Sequence, residues 1–307
     1  MDSSISFKEY IDRINVKKSS VVTIGNFDGL HLGHMQLIER TVEIAKKEDL
    51  LSIIFSYEVH PKNVLYKKLV HMIMPHEEKE RILFEKGIST VLFAPFDESL
   101  QSQSAKQFCD EVLIEKLKAK YLVMGEDARF GKEMLSAPKI KEYLESKGVK
   151  VELIPLLSQD GIRISSSKIR DLVEKGQLDL AEQYLGRPFS IIGKVIHGKK
   201  IGKSIGFPTA NMELEKDQVL PERGVYETRV YYKDKVYQGA TSVGKNPTFG
   251  ENPVTVETYI LGFDENIYGR SIKIEFIRKL RGEIAFSSKA ALMEQMEEDV
   301  KRIREHY

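Results

Sequence analysis

Short apolar runs alternate with longer amphipathic stretches through the first half of the chain. The runs have the length and composition of buried strands, and they cover residues 21–24, 51–55, 90–93, 121–124 and 151–154. Helix-period patterns follow, with Ile38, Val42 and Ala45 on one face of the first and further examples at residues 77–85, 105–118, 140–147, 169–173 and 178–185. This alternation predicts an α/β domain with a parallel sheet covered by helices on both faces.

The second half has a different pattern. Strand-like runs at residues 191–197, 224–232, 235–243, 254–260 and 271–278 are separated by turns rich in Gly, Pro, Asn and Asp. Such close spacing predicts an antiparallel sheet or a small barrel. One long helical pattern covers residues 288–306. The change in pattern places a domain boundary near Gly186, with domains at residues 1–186 and 187–307.

Composition agrees with two soluble domains. The chain has 307 residues, 41% hydrophobic and 30% charged, with a formal net charge of +1. Two domains are typical of this length. No apolar stretch approaches the roughly 18 residues of a spanning helix. The near-neutral charge gives no support to nonspecific binding of nucleic acid or a membrane surface, so we expect neither as a partner.

The number of cysteines limits which covalent and metal sites the chain can form. Cys109 is the single cysteine, which excludes an intramolecular disulfide and a zinc site built from several thiolates. We expect it to be inert packing in a helix. The first ten residues have no apolar signal core, so the expected location is cytoplasmic.

A glycine-rich segment, Gly-Asn-Phe-Asp-Gly-Leu-His-Leu-Gly-His at residues 25–34, follows the first predicted strand and opens a helix. Open α/β sheets bind ligands at the carboxyl ends of their strands. His31 and His34 are three residues apart, so one helical turn presents both to the same ligand. Two imidazoles there can stabilise charge at a phosphoryl group. They can also ligate a metal, although no third histidine or acidic partner has helical spacing.

A second polar segment has the same type of position. Ser165, Ser166 and Ser167 precede Lys168 and Arg170 at the start of a predicted helix. Serine hydroxyls, the N–H groups of a helix N-terminus and a guanidinium are good hydrogen-bond donors to phosphate. Alone, the serine run would be an ordinary N-cap.

The His-x-Gly-His element resembles the signature of the nucleotidyltransferase superfamily, and the longer segment resembles the adenylyltransferase half of prokaryotic bifunctional FAD synthetases. The resemblance implies that His31 and His34 bind the triphosphate and stabilise the transition state. It also implies a nucleotide- and flavin-binding set made of Gly25, Asn26, Phe27, Asp28, Gly29, Gly33, Ser165, Ser166, Lys168 and Arg170.

Two more predicted strand ends fit that half. His60 follows the second strand, and Asp127 and Arg129 follow the fourth, so we expect all three on the ligand side of the sheet. The resemblance is imperfect here. Ala128 stands where the family usually has an aromatic residue, and residues 55–61 form a longer stretch than usual. These departures motivate an alternative in which the N-terminal half is only regulatory.

A loop with glycines and lysines opens the second half. Gly198, Lys203 and Gly206 suit a phosphate cradle, although the spacing is not that of a Walker A loop. Thr209 and Asn211 are two residues apart and face the same side of an extended segment. Their hard oxygen atoms suit Mg²⁺ beside phosphates. The alternative is a solvated basic loop followed by a proline turn.

The segment Gly-Phe-Pro-Thr-Ala-Asn at residues 206–211 resembles the signature of riboflavin kinases. The resemblance implies a small antiparallel β-barrel with a terminal helix. It implies that Glu257 is the catalytic base, which alone would pass for a solvent-facing strand residue. It makes Thr209 and Asn211 the Mg²⁺ ligands, and the implied substrate-binding residues are Gly198, Lys203, Gly206, Phe207, Pro208, Asn211 and Arg281.

Together the two resemblances predict a Rossmann-like nucleotidyltransferase domain joined to a riboflavin-kinase-like barrel. The predicted function is phosphorylation of riboflavin to FMN, then adenylylation of FMN to FAD. Expected ligands are Mg²⁺, ATP and the flavins, in a monomer or weak homo-oligomer. The alternatives are a monofunctional riboflavin kinase and an RNA-binding protein that uses the His-x-Gly-His fold, against which the near-neutral charge argues.

Overall fold

The computed structural model describes residues 5–66, 69–198, 202, 206–214, 217–245 and 254–306. It divides into two compact units, Met1–Val70 with His76–Ser166 and His71–Pro75 with Ser167–Tyr307. The division falls before the helices that precede Gly186, so the second unit includes segments that the sequence pattern assigns to the first domain. The boundary at Gly186 remains a prediction.

The first unit is built around a five-stranded parallel sheet with the order β3-β2-β1-β4-β7. Its strands are β1 (Ser20–Ile24), β2 (Leu51–Tyr57), β3 (Thr90–Ala94), β4 (Ala119–Gly125) and β7 (Lys150–Ile154). Two small hairpins pair β5 (Arg129–Phe130) with β6 (Leu135–Ser136) and β8 (Ser158–Gln159) with β9 (Ile162–Arg163). The parallel α/β architecture predicted from the alternating pattern is confirmed.

Helices of this unit are α1 (Phe7–Arg13), α2 (Leu32–Glu48), α3 (Pro61–Tyr66), α4 (His76–Glu85), α5 (Glu98–Gln101), α6 (Ala105–Gln107) and α7 (Ala137–Ser146). A π-helix, Phe108–Lys116, continues α6 where one ordinary helix was expected. Its buried residues are Phe108, Cys109, Val112 and Leu113, and the spacings of four and five positions from Phe108 to Val112 and Leu113 suit the wider π turn. The short helices α1, α3 and α5 show too few turns for a periodic pattern.

Alternate residues of β1 enter different cores. Val22 packs with the π-helix and α7 in the larger cluster, whereas Val21 packs with Ile44 and Ala45 of α2. Both valines are fully buried. The sheet is therefore covered on both faces, which explains why its strands are almost continuously apolar.

The second unit contains a closed antiparallel barrel with the order β10-β11-β14-β13-β12-β15. Its strands are β10 (Ser190–Ile196), β11 (Thr209–Leu214), β12 (Gly224–Tyr232), β13 (Lys235–Lys245), β14 (Val254–Ile260) and β15 (Ser271–Arg281). Pairing of β10 with β15 closes it. Helices α8 (Ser166–Glu174), α9 (Leu178–Leu185) and α10 (Lys289–His306) complete the elements. The barrel and the terminal helix are confirmed.

Helix α10 is fixed to the barrel by an apolar cluster and an ion pair. Val300 and Ile303 pack with Leu261. The buried carboxylate of Asp299 accepts hydrogen bonds from Arg281 at 3.0 Å from Nε and 2.8 Å from Nη2. Forked pairs of this kind are among the stronger side-chain interactions in proteins.

Cys109 is buried inside the first unit, as expected for a packing residue. Burial raises the pKa of its thiol to about 12. At about pH 8 only around one thiol in ten thousand is ionised, so an aromatic disulfide reagent should not react with the native protein. The same reagent should react fully after unfolding in guanidinium chloride. Rapid stoichiometric labelling of the native chain would contradict this placement.

Candidate active sites

The order of the parallel sheet creates a crevice at its carboxyl edge. Strands β1 and β4 are neighbours, and the chain continues from them toward opposite sides of the sheet. At such a topological switch point the two following loops diverge and leave space for a ligand. The Gly25–His34 and Gly125–Gly131 segments are those loops, so both predicted motifs of this half lie at the same edge.

The turn after β1 uses backbone conformations that side chains disfavour. Phe27, Gly29 and Leu30 have φ values of 48°, 78° and 43°. Left-handed residues other than glycine cost about 1–2 kcal/mol each. Phe27 and Leu30 are fully buried, and their packing offsets this cost. The turn is therefore held by its side chains rather than by the flexibility of its glycines.

The two histidines are placed together at the start of α2. His31 is the N-cap residue, and its Nδ1 accepts a hydrogen bond of 3.3 Å from the backbone N–H of His34. Their rings stack with 3.6 Å between centroids. Phe27 contacts the edge of His34 at 5.2 Å. The spacing thus brings the two imidazoles together, and their binding to one ligand remains a prediction.

The serine segment begins a helix, as expected, because α8 starts at Ser166. The hydroxyl of Ser166 donates a 2.8 Å hydrogen bond to the carbonyl oxygen of Asp28, which links this segment to the turn after β1. Further along α8, Lys168 lies 3.8 Å from Asp171, and Arg170 is buried. The serine side chain thus positions the turn after β1, and a role in phosphate binding remains a prediction.

The remaining predicted residues of the first unit follow β2 and β4. His60 precedes α3 and accepts a 3.1 Å hydrogen bond from the N–H of Lys62. Asp127 forms an ion pair with Arg163. The guanidinium of Arg129 donates to the carbonyl oxygens of Asp127 and Ala128. These contacts stabilise the two loops, and a role in ligand binding remains a prediction for all three residues.

In the second unit, pairing of β11 with β14 joins residues that are distant in the sequence. Asn211 pairs in register with Glu257. Thr209 Oγ1 donates to Glu257 Oε2 at 3.4 Å. All three side chains are half-buried. The predicted metal ligands and the predicted base therefore form one oxygen-rich cluster on the barrel.

Gly198 lies directly against that cluster. A methyl group at this position would overlap the side-chain amide of Asn211, so only glycine permits the observed approach. Gly206 and Pro208 are exposed, whereas Phe207 packs edge to face against Tyr259 at 5.1 Å. Lys203 lies outside the described residues.

Arg281 makes contacts other than those expected of a substrate ligand. Its Nε and Nη2 bind Asp299, and its Nη1 donates to the carbonyl oxygen of Gly282 at 3.1 Å. These bonds occupy the guanidinium and attach α10 to β15. The observed contacts give Arg281 a positioning role at the barrel, and direct substrate binding remains only a prediction.

Comparison with known proteins identifies both units. A family model described as FAD synthetase matches residues 13–168, and one described as riboflavin kinase matches residues 185–307. The bifunctional riboflavin kinase/FMN adenylyltransferase of Buchnera aphidicola (subsp. Schizaphis graminum) is 35% identical, covering 95% of this chain and 96% of the relative. The Bacillus subtilis protein of the same name is 35% identical, covering 91% and 90%. The chain belongs to this bifunctional family.

A solved structure from Streptococcus pneumoniae, titled a macrolide-efflux protein, is also similar. It is 30% identical in sequence and superposes with a TM-score of 0.87, and the similarity covers 96% of the present chain and 97% of the pneumococcal chain. The similarity thus extends through both units. Within the part of the chain that the structure describes, no helix combines the length and the apolar character needed to cross a membrane. Nor do those residues include a cluster of three or more His, Cys, Asp or Glu side chains suited to a metal ion.

The sequence analysis did not identify two side chains that contact loops at the predicted site of the first unit. Lys79 is buried in α4, and its Nζ donates a 3.0 Å hydrogen bond to the carbonyl oxygen of Asn26. His76 contacts the carbonyl oxygen of Glu58 at 2.7 Å. The only available signal was a lysine on the apolar face of a predicted helix.

The loop after β4 depends on a close backbone approach at Gly131, where φ is 66° and an added methyl group would overlap the backbone of Ala105. Gly131→Ala should lower the free energy of unfolding by about 3 kcal/mol or more, from backbone strain plus the overlap. Gly148→Ala is the matched control, because Gly148 has a φ of 83° and nothing within 4 Å. It should cost only about 1–2 kcal/mol. Equal losses in urea denaturation would refute the close approach.

Proposed function

We propose that the two units catalyse consecutive steps in the synthesis of FAD. The barrel transfers the γ-phosphoryl group of ATP to riboflavin and produces FMN. The parallel-sheet unit transfers the adenylyl group of a second ATP to FMN, producing FAD and pyrophosphate. The observation that carries this conclusion is the presence in one chain of the Gly25–His34 and Ser165–Arg170 motifs on the parallel-sheet side and of the Gly206–Asn211 signature beside Glu257 on the barrel. The monofunctional alternative is not favoured, because family models for FAD synthetase and for riboflavin kinase both match the chain and the relatives that match most of its length are named as bifunctional.

In the kinase step, the ribityl hydroxyl attacks the γ-phosphorus while the bond to the β-γ bridging oxygen breaks. We propose that Glu257 accepts the proton of that hydroxyl, and its half-buried carboxylate beside Thr209 supports this role. The hydrogen bond from Thr209 orients the Glu257 carboxylate on the barrel. Transfer at phosphorus demands positioning and charge stabilisation more than covalent chemistry, so no phosphorylated enzyme is expected.

The cluster also suits a magnesium ion. Thr209, Asn211 and Glu257 offer hard oxygen atoms from two adjacent strands, which is the donor type that Mg²⁺ selects. We propose that Thr209 and Asn211 hold it, as the sequence motif implied. When bound, the ion would neutralise charge on the ATP phosphates. Gly198 contributes by leaving room for the amide of Asn211.

In the adenylyl-transfer step, a phosphate oxygen of FMN attacks the α-phosphorus of ATP, and pyrophosphate carries away the bonding electron pair. His31 and His34 stack at the N-terminus of α2, where helix N–H groups and imidazoles favour negative charge. We propose that they donate hydrogen bonds to the triphosphate as its charge shifts to the leaving group.

Further features of the working protein are also proposals. Ala128 leaves the first aromatic position of the family's second element without a ring, and we propose that FMN binding tolerates this. The single buried thiol accords with a reducing, cytoplasmic environment. We propose that the protein acts as a monomer or a weak homo-oligomer on riboflavin, FMN and ATP.

The two-site assignment predicts separable defects. His31→Asn, which keeps an N-cap acceptor, and His34→Ala should each lower FAD formation by about 10²–10³-fold and leave FMN formation intact. Glu257→Gln, which keeps the side-chain size, should lower FMN formation by about 10²–10⁴-fold and leave adenylylation of supplied FMN intact. Chromatographic separation of the flavins measures the two steps in separate reactions, one started from riboflavin and one from supplied FMN. Loss of both activities in any one folded variant would contradict two separate sites.

The approach of Gly198 to Asn211 gives an independent test of the kinase site. Gly198→Ala should displace the Asn211 amide and reduce riboflavin phosphorylation at least tenfold, with adenylylation of FMN unchanged. The KM for MgATP should rise more than the KM for riboflavin, because the displaced group is a proposed magnesium ligand. Normal kinase activity in Gly198→Ala would mean that Asn211 is not needed at this position.

A further inference from the structure

Lys79 is a buried cation whose position no motif predicts. It lies on the sheet-facing side of α4, with 2% of its surface exposed. Its Nζ is 3.0 Å from the backbone oxygen of Asn26 and 5.5 Å from the ring centre of Phe93. A lysine side chain is almost never fully buried unless its charged group has a partner. The energetic cost of burial points to a task for this ammonium group.

The group that Lys79 binds is the junction between β1 and the catalytic turn. Asn26 follows the last backbone bond of the parallel ladder, from Gly25 N–H to the carbonyl oxygen of Phe55. Immediately beyond it begin the left-handed residues that lead to the stacked histidines. The carbonyl oxygen of Asn26 also accepts a 3.2 Å hydrogen bond from Ser56. One neutral donor and one charged donor therefore fix the same oxygen.

We propose that Lys79 is a positioning residue for adenylyl transfer, whose protonated side chain fixes the Asn26 carbonyl and through it the turn that aims His31 and His34. The inference rests on the proposed adenylyltransferase activity of this unit. Lys79 acts through the backbone and needs no contact with ATP or FMN. Small displacements of such a turn are costly, since a misplacement of about 1 Å can reduce a rate about a hundredfold.

The charged form of Lys79 is required, which makes the reaction sensitive to pH. Burial lowers the pKa of the Lys79 ammonium to about 8, although the nearby carboxylate of Asp28 opposes this shift. A second titratable group beside Lys79 is His76 on the same helix, whose pKa is lowered by burial and by Lys79 itself. His76 therefore completes its titration below the range in which Lys79 loses its proton.

Activity and stability should respond to pH in opposite directions. Adenylylation should decline as the pH rises through about 8, because a neutral amine binds the Asn26 carbonyl less strongly than an ammonium. The unfolded lysine has a pKa of about 10.4, so the unfolded chain binds more protons between about pH 8 and pH 10. The contribution of Lys79 to the free energy of unfolding therefore rises with pH in this range, so its deprotonation stabilises the folded protein. The fall in adenylylation therefore cannot result from unfolding caused by deprotonation of Lys79.

The test compares Lys79→Met with Lys86→Met, which removes an exposed lysine just beyond the same helix. FAD formation from supplied FMN is followed from about pH 6 to about pH 10, alongside FMN formation by the barrel. The unaltered protein should show a decline in kcat near pH 8 that the kinase step lacks. Lys79→Met should lower kcat at neutral pH by about tenfold to a hundredfold and abolish that decline, with a small change in the KM for ATP. Lys86→Met should match the unaltered protein.

Ser56→Ala separates charge from simple support of the loop. It removes the neutral donor to Asn26, so it should reduce kcat and keep the decline near pH 8. Near-ultraviolet circular dichroism verifies folding, and Lys79→Gln replaces Lys79→Met if the latter is unfolded. An undiminished kcat in folded Lys79→Met, or a flat profile in the unaltered protein, would overturn the positioning role alone. Absence of FAD formation by the unaltered protein at every pH would overturn the adenylyltransferase function itself, and this inference with it.

Discussion

The left-handed turn after β1 is the constraint on which the adenylyltransferase site depends. Buried Phe27 and Leu30 hold conformations that cost free energy, and the Asn26 carbonyl is fixed where the turn begins. The turn delivers the chain to α2 with His31 as the N-cap. Without it, the two imidazoles would not stack at the carboxyl edge of the sheet. The geometry of the site therefore depends directly on the packing of the core.

The barrel solves a similar problem by strand register. Asn211 and Glu257 are opposite each other because β11 pairs with β14, and this pairing is fixed by barrel closure. A slip of β11 by one residue would turn Thr209 and Asn211 to the face opposite Glu257. Gly198 adds a steric condition, since any side chain there would displace the amide of Asn211. The rigidity of a closed sheet thus replaces the strained turn used by the first unit.

Both sites perform transfers at phosphorus, and neither provides a covalent nucleophile in its proposed machinery. Their common requirement is accurate placement of charge and dipoles around phosphate groups. In the proposed machinery, the first unit supplies imidazoles and a helix N-terminus, and the barrel supplies oxygen ligands and a carboxylate base. Product of the barrel reaction is substrate for the first unit, so one chain holds two adjacent steps of flavin metabolism.

The sequence by itself determined the two architectures, because hydrophobic periodicity reports which faces are buried. It also located the principal candidate residues, since His31, His34, Thr209 and Asn211 belong to short contiguous motifs. Helix type was not accessible in this way, and the π-helix at Phe108–Lys116 emerged only with the packed core. The fork from Arg281 to Asp299 was also hidden, as its partners are on separate elements.

Tertiary structure alone decided the role of Lys79 and the meeting of Thr209 with Glu257. A buried ammonium is invisible in sequence, because lysine normally marks a solvated surface and its environment is created by distant segments. The hydrogen bond from Thr209 to Glu257 joins residues on different strands, so barrel closure has to bring them together. Local patterns specify elements and motifs, whereas long-range contacts determine which polar groups lose water and find each other.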